Sequence, residues 1–422
     1  MMVFRKNVQR MLNRFQLFQD KVHFLNDEAK YAMVLGRLLV SIANLSPMDY
    51  NLARMLFLLF TVAVSIIHEI TIAVCFASYV RDVDTLTDVL PALSLGIQIV
   101  SKGTVLLIKT KQLATLTEVV WNDFWPANIM GHAVEYKISK LSKRILIAFY
   151  TELIVTIVYS ISTVILPLRR TPKVLFQQAS YPLDLSKPLG YSIAFCIQSY
   201  MTLYAETATI CGYDLMYQAI CINCAAQFRL LCVALEYIGT GKEKEILEEI
   251  QNAVSDKTKR KSIKDQDANK ELLGICVKHH QTLINVGHEL NKIFGTGHFL
   301  QLCATLTGIC TISYRISQTN DYNTIFVGLN YYFGHLCQLF MFCSASHELS
   351  FWSTCPSMSV YNSKWYNKGC DKIKKSLQIL MIRSQRQMTM NSFGLFELNY
   401  VSFLAVMRFS FTLYTFLKTV AD

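Results

Sequence analysis

Long hydrophobic runs alternate with shorter polar segments along this chain. Seven runs are long enough to cross a hydrocarbon core of about 30 Å as helices that rise about 1.5 Å per residue. Their bounds, placed to within several residues, are Leu52–Val80, Leu86–Ile108, Ile145–Leu168, Leu189–Gly212, His298–Ser317, Ile325–Ser346 and Phe393–Leu417. Because lipid offers the backbone no hydrogen-bond partner, such runs cross as helices. The pattern therefore predicts an all-α, polytopic membrane protein with seven transmembrane helices.

The polar segments divide the chain further. Residues 1–51 precede the first span, 52–346 hold the first six spans, 347–392 form a polar segment, and 393–422 hold the last span with a short tail. The connection 213–297 predicts a helix to about Ile250, a loop from Ser255 to Asp267, and a second helix from about Glu271. Within 360–386, apolar residues at helical spacing predict an amphipathic helix; they are Ile373, Leu377, Leu380 and Met381.

Lysine and arginine are distributed unevenly between the two sides of the predicted membrane. With the long connection 213–297 left out, one side carries 20 of these residues and the other 6. Because basic residues favour the cytoplasmic side, the N-terminus is predicted to be cytoplasmic and the C-terminus extracellular. That orientation excludes a G-protein-coupled receptor, and it puts the sequon Asn44-Leu45-Ser46 on the side where it is not glycosylated. The N-terminal segment and the connections 109–144, 213–297 and 347–392 then predict a helical cytoplasmic layer.

Charged residues inside the predicted spans are few. Glu397 and Arg408 are eleven residues apart in the last span, so a continuous helix puts them on one face, with Thr412 and Thr415 beside them. Such a stripe indicates either a packed neighbouring helix or a water path. In the first span, His68 and Glu69 predict a polar contact between helices.

Composition limits the function classes. The chain is 52% hydrophobic and 17% charged, with a net charge of +11 that lies mostly between spans and therefore reflects topology, not nucleic-acid binding. Thirteen cysteines are scattered; Cys221 and Cys224 form a single Cys-x-x-Cys with no second ligand pair, so no metal site is predicted. Glu69 and Glu397 lack catalytic partners at recognisable spacing, so neither an enzyme nor a cofactor is expected. A transporter remains an alternative, although no internal repeat is evident and the number of spans is odd.

Four stretches of the chain resemble the insect odorant receptors, which are ligand-gated ion channels. They are Tyr181-Pro182-x-Asp184 with Pro188 and Tyr191; His280, Gln281 and Leu283 through Phe294 to Gln301; Glu348-Leu349 with Tyr361, Trp365-Tyr366 and Arg383-Ser384-Gln385-Arg386; and Ser410 to Lys418. Departures are Gln387 where the family has Pro, Thr389-Met390-Asn391 where it has small residues, and Leu413 followed by Tyr414 where it has Tyr. A gustatory receptor is the near alternative, but its signature ends in Gln where this chain has Lys418.

The resemblance implies an odorant-gated, non-selective cation channel subunit of the plasma membrane. A ligand-specific tuning subunit of this kind assembles with the odorant co-receptor as a heterotetramer, and each subunit gives its last helix to a central pore. The implied gate residues are Leu413 and Phe416, with Phe409 and Leu417 beside them, and Glu397 and Arg408 then face a neighbouring helix. The segment 347–392 becomes a cytoplasmic anchor helix, with assembly residues Tyr361, Trp365, Tyr366, Arg383 and Arg386.

The resemblance also implies a mostly apolar pocket for a small volatile ligand in the outer half of spans two, three, four and six. Candidate lining residues are Val89 and Leu93 in span two, Ile154, Val158 and Ser162 in span three, Ile197, Tyr200, Met201 and Tyr204 in span four, and Phe326, Asn330 and Tyr331 in span six. Asn330 and Tyr331 are the expected polar contacts, because they interrupt an apolar face.

Overall fold

The computed structural model describes residues 27–42, 52–79, 83–168, 175–254, 268–367, 369–392 and 394–421. Its α-helices are α1 Asp27–Ile42, α2 Leu52–Ser78, α3 Val83–Ile108, α4 Thr110–Asn122, α5 His132–Leu168, α6 Pro188–Tyr200, α7 Thr207–Glu236, α8 Glu243–Val254, α9 Ala268–Gln318, α10 Tyr322–Asn362, α11 Lys374–Gln385 and α12 Tyr400–Ala421. A 3₁₀ turn at Ala127–Met130 precedes α5, and a π-helical segment at Met201–Glu206 joins α6 to α7. The strands β1 Asn391–Ser392 and β2 Phe396–Glu397 pair in antiparallel fashion.

Apolar helices of membrane-spanning length account for most of the fold. In the described part of the chain, six helical stretches qualify: Leu56–Ser78, Val89–Ile108, His132–Leu168, Pro188–Glu236, Ala268–Gln318 and Tyr322–Asn362. A shorter apolar stretch, Tyr400–Phe416, is the seventh. The predicted all-α, polytopic membrane fold is therefore confirmed. The predicted loop from Ser255 to Asp267, the sequon and most of segment 1–51 lie outside the described residues.

The last helix begins later than its hydrophobic run predicted. Gly394 has φ of 71°, a left-handed conformation that glycine adopts without strain, and it turns the chain between β1 and β2. Asn399 then caps α12, because its Oδ1 accepts a hydrogen bond from the Ser402 amide at 2.8 Å. Glu397 lies in β2 and is exposed. The predicted helical stripe that joined Glu397 to Arg408 is therefore wrong, while Arg408 lies within α12 on an exposed face.

Helix α7 is at the centre of the bundle and is buried on nearly all sides. Its aromatic residues Tyr213 and Tyr217 pack against Phe294 of α9, with ring centroids 4.8 and 5.3 Å apart. Both hydroxyl groups are satisfied, since Tyr213 donates to the Phe294 carbonyl at 2.9 Å and Tyr217 lies 2.6 Å from the Ser346 hydroxyl. Cys221 and Cys224 are fully buried in this helix as apolar core residues.

Two helices are much longer than a bilayer is thick. With 51 and 41 residues, α9 and α10 extend over about 77 and 62 Å, against a hydrocarbon core of about 30 Å. Their excess length packs with α4, α8 and α11. In this layer the Trp125 ring stacks on His279 with centroids 4.1 Å apart, and Gln227 bonds both the amide and the carbonyl of Trp125.

The helix predicted to run to about Ile250 in the connection 213–297 is broken into two. Helix α7 ends at Glu236 and α8 begins at Glu243; between them Gly239 and Gly241 have φ of 79° and 86°. The segment 347–392 also differs from a single anchor helix, because α10 continues to Asn362 and a turn separates it from α11. Of the four apolar positions predicted on one helical face, Leu377 and Leu380 are buried in α11, Met381 is half-buried there, and Ile373 is buried just before the helix begins.

Candidate ligand cavity

A cavity lies inside the bundle where α3, α5, α7 and α10 converge. Its volume is about 40 Å³, measured as the space that the centre of a water-sized sphere can occupy. The lining residues are Leu95, Gln98, Glu152, Val155, Thr156, Tyr159, Glu206, Ile210, Asn330, Tyr331, Gly334, His335 and Gln338. Glu206 is the last residue of the π-helical segment, and such segments occur often at functional sites.

Tyr331 is held firmly at the outer part of this cavity. Its hydroxyl lies 2.5 Å from the Ser94 hydroxyl and donates to the Pro91 carbonyl at 3.2 Å. On the other side, Tyr159 packs edge-on against Tyr331 with ring centroids 5.7 Å apart. Tyr331 is therefore a wall residue of the cavity whose position is fixed by both its hydroxyl and its ring.

The inner part of the cavity ends in a buried polar network. Lys102 Nζ donates to both carboxylate oxygens of Asp214 at 2.6 and 2.9 Å, and both side chains are fully buried. Gln338, which lines the cavity, donates to Asp214 and accepts from Gln301 Nε2 at 2.6 Å. This network ties α3, α7, α9 and α10 together at one level.

A second cavity lies further out on the same helices. Thr163 is one turn from Tyr159 on α5, and Val327 is one turn from Tyr331 on α10; both line it, together with Arg315 and Phe176. About 310 Å³ of it is open to the centre of a water-sized sphere. The two cavities therefore lie in series along α5 and α10, the larger one outside.

The structure brings only some of the predicted lining residues together. Asn330 and Tyr331 line the inner cavity. Met201 is buried beside Tyr331, and Tyr200 and Tyr204 pack against the same apolar cluster. The remaining candidates lie elsewhere: Ile154, Val158 and Phe326 are exposed on the outer face, Val89 and Leu93 pack with Ile72, Ser162 bonds the Tyr159 carbonyl, and Ile197 is half-buried on α6.

Sequence reasoning missed the acidic residues of the cavity. Glu152 and Glu206 are 2% and 4% exposed and lie within the third and fourth predicted spans. A carboxyl group inside a span was the available signal, because such groups are costly in lipid and mark functional positions. No signal predicted the π-helical segment that contains Glu206.

The predicted pore and assembly residues are largely uncovered in the single chain. On α12, Val406 and Ser410 are buried against α9 and α10, whereas Phe409 and Phe416 are exposed and Leu413 is half-buried. The Leu417 side chain lies outside the described part. Tyr361, Trp365, Tyr366 and Arg386 are exposed and Arg383 is half-buried, all near the end of α10 and of α11.

A model of the family described as 7tm Odorant receptor matches residues 82–411. The chain belongs to the odorant receptor family. The resemblance drawn from the sequence motifs is thereby confirmed, and the family is one of receptors and not of enzymes.

Individual relatives are distant. Odorant receptor 49a of Drosophila melanogaster is 22% identical over 242 residues, which cover 57% of this chain and 54% of that receptor. Odorant receptor Or2 of Anopheles gambiae is 23% identical over 145 residues, or 34% of this chain and 38% of Or2. The matched part thus spans about half the length of the first relative and less of the second.

Solved structures share the fold. The insect olfactory receptor OR5 from Machilis hrabei superposes with a TM-score of 0.76 at 14% identity, over 93% of this chain and 100% of OR5. The structure of OR5 in complex with eugenol gives the same score and coverage. At this level of identity the likeness concerns the arrangement of the helices.

Proposed function

We propose that this odorant receptor is the ligand-binding subunit of an odorant-gated cation channel in the plasma membrane. The observation that carries the proposal is the cavity between α3, α5, α7 and α10, whose accessible walls are mostly aliphatic and aromatic, with polar side chains among them. Small-molecule sites have this character, and the space suits a compact volatile ligand. Odorant co-receptor subunits are the proposed partners in a heterotetramer.

The uncovered face of α12 supports a channel built from several subunits. Val401, Leu404, Phe409 and Phe411 are all exposed, although the helix is apolar and packs on its own bundle only through Val406 and its neighbours. In the proposed assembly this face borders the neighbouring last helices and the ion path. Leu413 and Phe416 then form a hydrophobic constriction, which closes by excluding water.

A contact route connects the cavity to α12. Gln338 lines the cavity, and the next residue, Leu339, packs with Leu302 against Val406 of α12. A ligand that binds the open arrangement more tightly shifts the population towards it. Truncating Val406 to alanine is expected to change the maximal current more than the ligand affinity. An unchanged maximal current would argue against this route.

The test is a recording of ligand-evoked current from cells that co-express this chain and the co-receptor, with G-protein signalling blocked. We expect a current for at least one volatile compound, and no current when either subunit is left out. Tyr331→Ala and Val155→Ala should shift the dose–response curve. Ile154→Ala is the matched control, because Ile154 is the neighbour of Val155 but is 60% exposed on the outer face. Unchanged potency in both cavity variants would rule out this ligand site.

A further inference from the structure

A polar cavity lies beyond the predicted spans, where α9, α10 and α11 meet the segment 386–391 that leads to β1 and α12. Its volume is about 290 Å³, measured in the same way as for the two cavities described above. Its accessible walls are more polar than apolar, unlike those of the proposed ligand site. Neither odorant binding nor the pore gives this cavity a role.

The charged side chains of this cavity are all basic. Arg383, in the last turn of α11, and Arg386, just after that helix, line the wall, and no aspartate or glutamate is among the described residues that do so. The positive charge of Arg383 acts on the buried ring of His280, and His288 lines the wall about two turns further along α9. Positive potential therefore converges on one space from two helices.

Neighbouring carboxylates do not neutralise the two arginines. Glu289 of α9 pairs with Lys292 at 3.5 Å, and Glu348 of α10 accepts a hydrogen bond from Trp352 Nε1 at 3.3 Å. Within the described part of the chain, neither arginine forms an ion pair. Because a guanidinium group presents its donors in a planar fork that matches phosphate oxygens, such a space is suited to a phosphate-bearing anion.

The walls of the cavity are held in place by contacts that do not use the arginines. Ser353 Oγ of α10 accepts a hydrogen bond from the Met388 amide at 3.0 Å, and Asn291 Oδ1 of α9 accepts one from the Asn391 amide at 2.9 Å. Met388 packs directly on α9 at Gly287, where a Cβ would clash with the methionine side chain. The segment before the last helix is thus fixed to α9 and α10, and the basic side chains remain available to a ligand.

We propose that this cavity binds an organic phosphate with at least two phosphate groups from the cytoplasmic side, and that the bound anion links α9 and α11 to the segment 386–391. The predicted topology places this layer in the cytoplasm, where phosphate esters occur. Since 386–391 leads to the last helix, the site would act on that helix from inside the cell. The inference is independent of the proposed odorant site.

Size and polarity narrow the class of anion. Since one water needs about 10–15 Å³ by this measure, the 290 Å³ hold more than a single inorganic phosphate. A phosphate monoester carries a charge of about −1.5 to −2 and three acceptor oxygens, so it meets arginine better than a carboxylate does. Gln387 and Thr389 also line the cavity and suit hydroxyl groups. An inositol phosphate combines these features, either as a soluble molecule or as the headgroup of a lipid.

The first measurement is binding of labelled inositol trisphosphate to the purified full-length chain in detergent, at constant ionic strength. We expect saturable binding, and Arg383→Gln and Arg386→Gln should each weaken it about tenfold or more, because each removes charge-assisted hydrogen bonds. Lys375→Gln is the matched control, because Lys375 is exposed on the same helix and does not line the cavity. Unchanged melting temperatures of the ligand-free variants would show that their fold is intact.

The second measurement distinguishes the source of the phosphate. The chain is placed in phosphatidylcholine vesicles with or without phosphatidylinositol bisphosphate. If the lipid displaces labelled inositol trisphosphate, the site takes a lipid headgroup; if binding is unaffected by the lipid, it takes the soluble molecule. Both results support the site. The third measurement is amide hydrogen exchange, which inositol trisphosphate should slow in residues 386–392 of the unmodified protein and not in Arg383→Gln.

Three outcomes would overturn the inference. The first is the absence of saturable binding to the unmodified chain. The second is equal binding by the arginine variants and the unmodified chain, or an equal loss in Lys375→Gln, since either would show that the cavity is not the site. The third is binding that leaves exchange in 386–392 unchanged, which would remove the link to the last helix. None of these results depends on whether any volatile evokes a current.

Discussion

The buried pair Lys102–Asp214 offers a direct measure of what holds the bundle together. Each side chain is fully buried, and the pair joins α3 to α7. Without Lys102, Asp214 keeps the hydrogen bond from Gln338 but no positive charge. Removing one partner of a buried ion pair typically costs about 3–5 kcal/mol, because the other charge stays behind uncompensated.

The perturbation is a double-mutant cycle with Lys102→Met, Asp214→Asn and the two together. We expect each single variant to lower the free energy of unfolding by about 3 kcal/mol. That corresponds to a change of more than about a hundredfold in the folding equilibrium. The double variant should recover much of the loss, because neither remaining side chain is charged, so the coupling free energy should exceed about 2 kcal/mol.

The assay is equilibrium unfolding of purified protein in mixed detergent micelles, followed by tryptophan fluorescence. Lys292→Met is the control, because Lys292 also belongs to an ion pair, with Glu289 at 3.5 Å, but both side chains are about half exposed. Exposed pairs contribute about 0–1 kcal/mol. If the single variants at Lys102 and Asp214 behave like Lys292→Met, or if the double variant is no more stable than the singles, the reasoning is refuted.

Three further predictions concern the backbone and the cavity wall. Gly239→Ala should destabilise the protein by more than about 2 kcal/mol, because a Cβ would clash with the Lys364 carbonyl oxygen. Gly241→Ala, with a similar φ but open space, should cost about 1 kcal/mol in the same unfolding assay. Gly334→Ala should raise the melting temperature, since alanine favours helix by about 0.8–1 kcal/mol and nothing lies nearer than 3.8 Å; in current recordings it should lower the potency of bulkier ligands more than of small ones. Asn399→Ala should cost about 0.5–2 kcal/mol by removing the cap of α12, and an unchanged unfolding free energy would show that α12 does not depend on that cap.

The sequence predicted the spans well where hydrophobicity and length act together. The first six spans are apolar over more residues than a core helix needs, so their length alone indicates a membrane. The prediction from hydrophobicity failed at the start of α12, because Leu395, Phe396 and Leu398 extend the apolar run without a visible break. Gly394 and Asn399 determine where α12 begins. Gly394 acts through the local backbone conformation and Asn399 through capping, and hydrophobicity indicates neither effect.

The cavity was harder to predict because it depends on helix rotation. Ile154 and Val155 are adjacent and equally apolar, yet one is exposed on the outer face and the other lines the cavity. In a span that is apolar on all sides, the hydrophobic pattern does not determine which face points inward. Asn330 and Tyr331 were predicted because polar atoms mark the inward face, and both line the cavity. The same logic applied to Glu152 and Glu206 predicts two further lining residues.

Buried charge explains why this level of the bundle is rigid. Lys102 and Asp214 neutralise each other, so they fix helices α3 and α7 without a free charge. Glu152 of α5 lies beside this pair and beside Gln218. A bilayer interior supplies neither water nor counterions to such groups, so a carboxyl group there is stabilised by the partners that the protein itself provides. The ion pair and the acid beside it are therefore one buried network, and its physical role is to hold α3, α5 and α7 in a single arrangement.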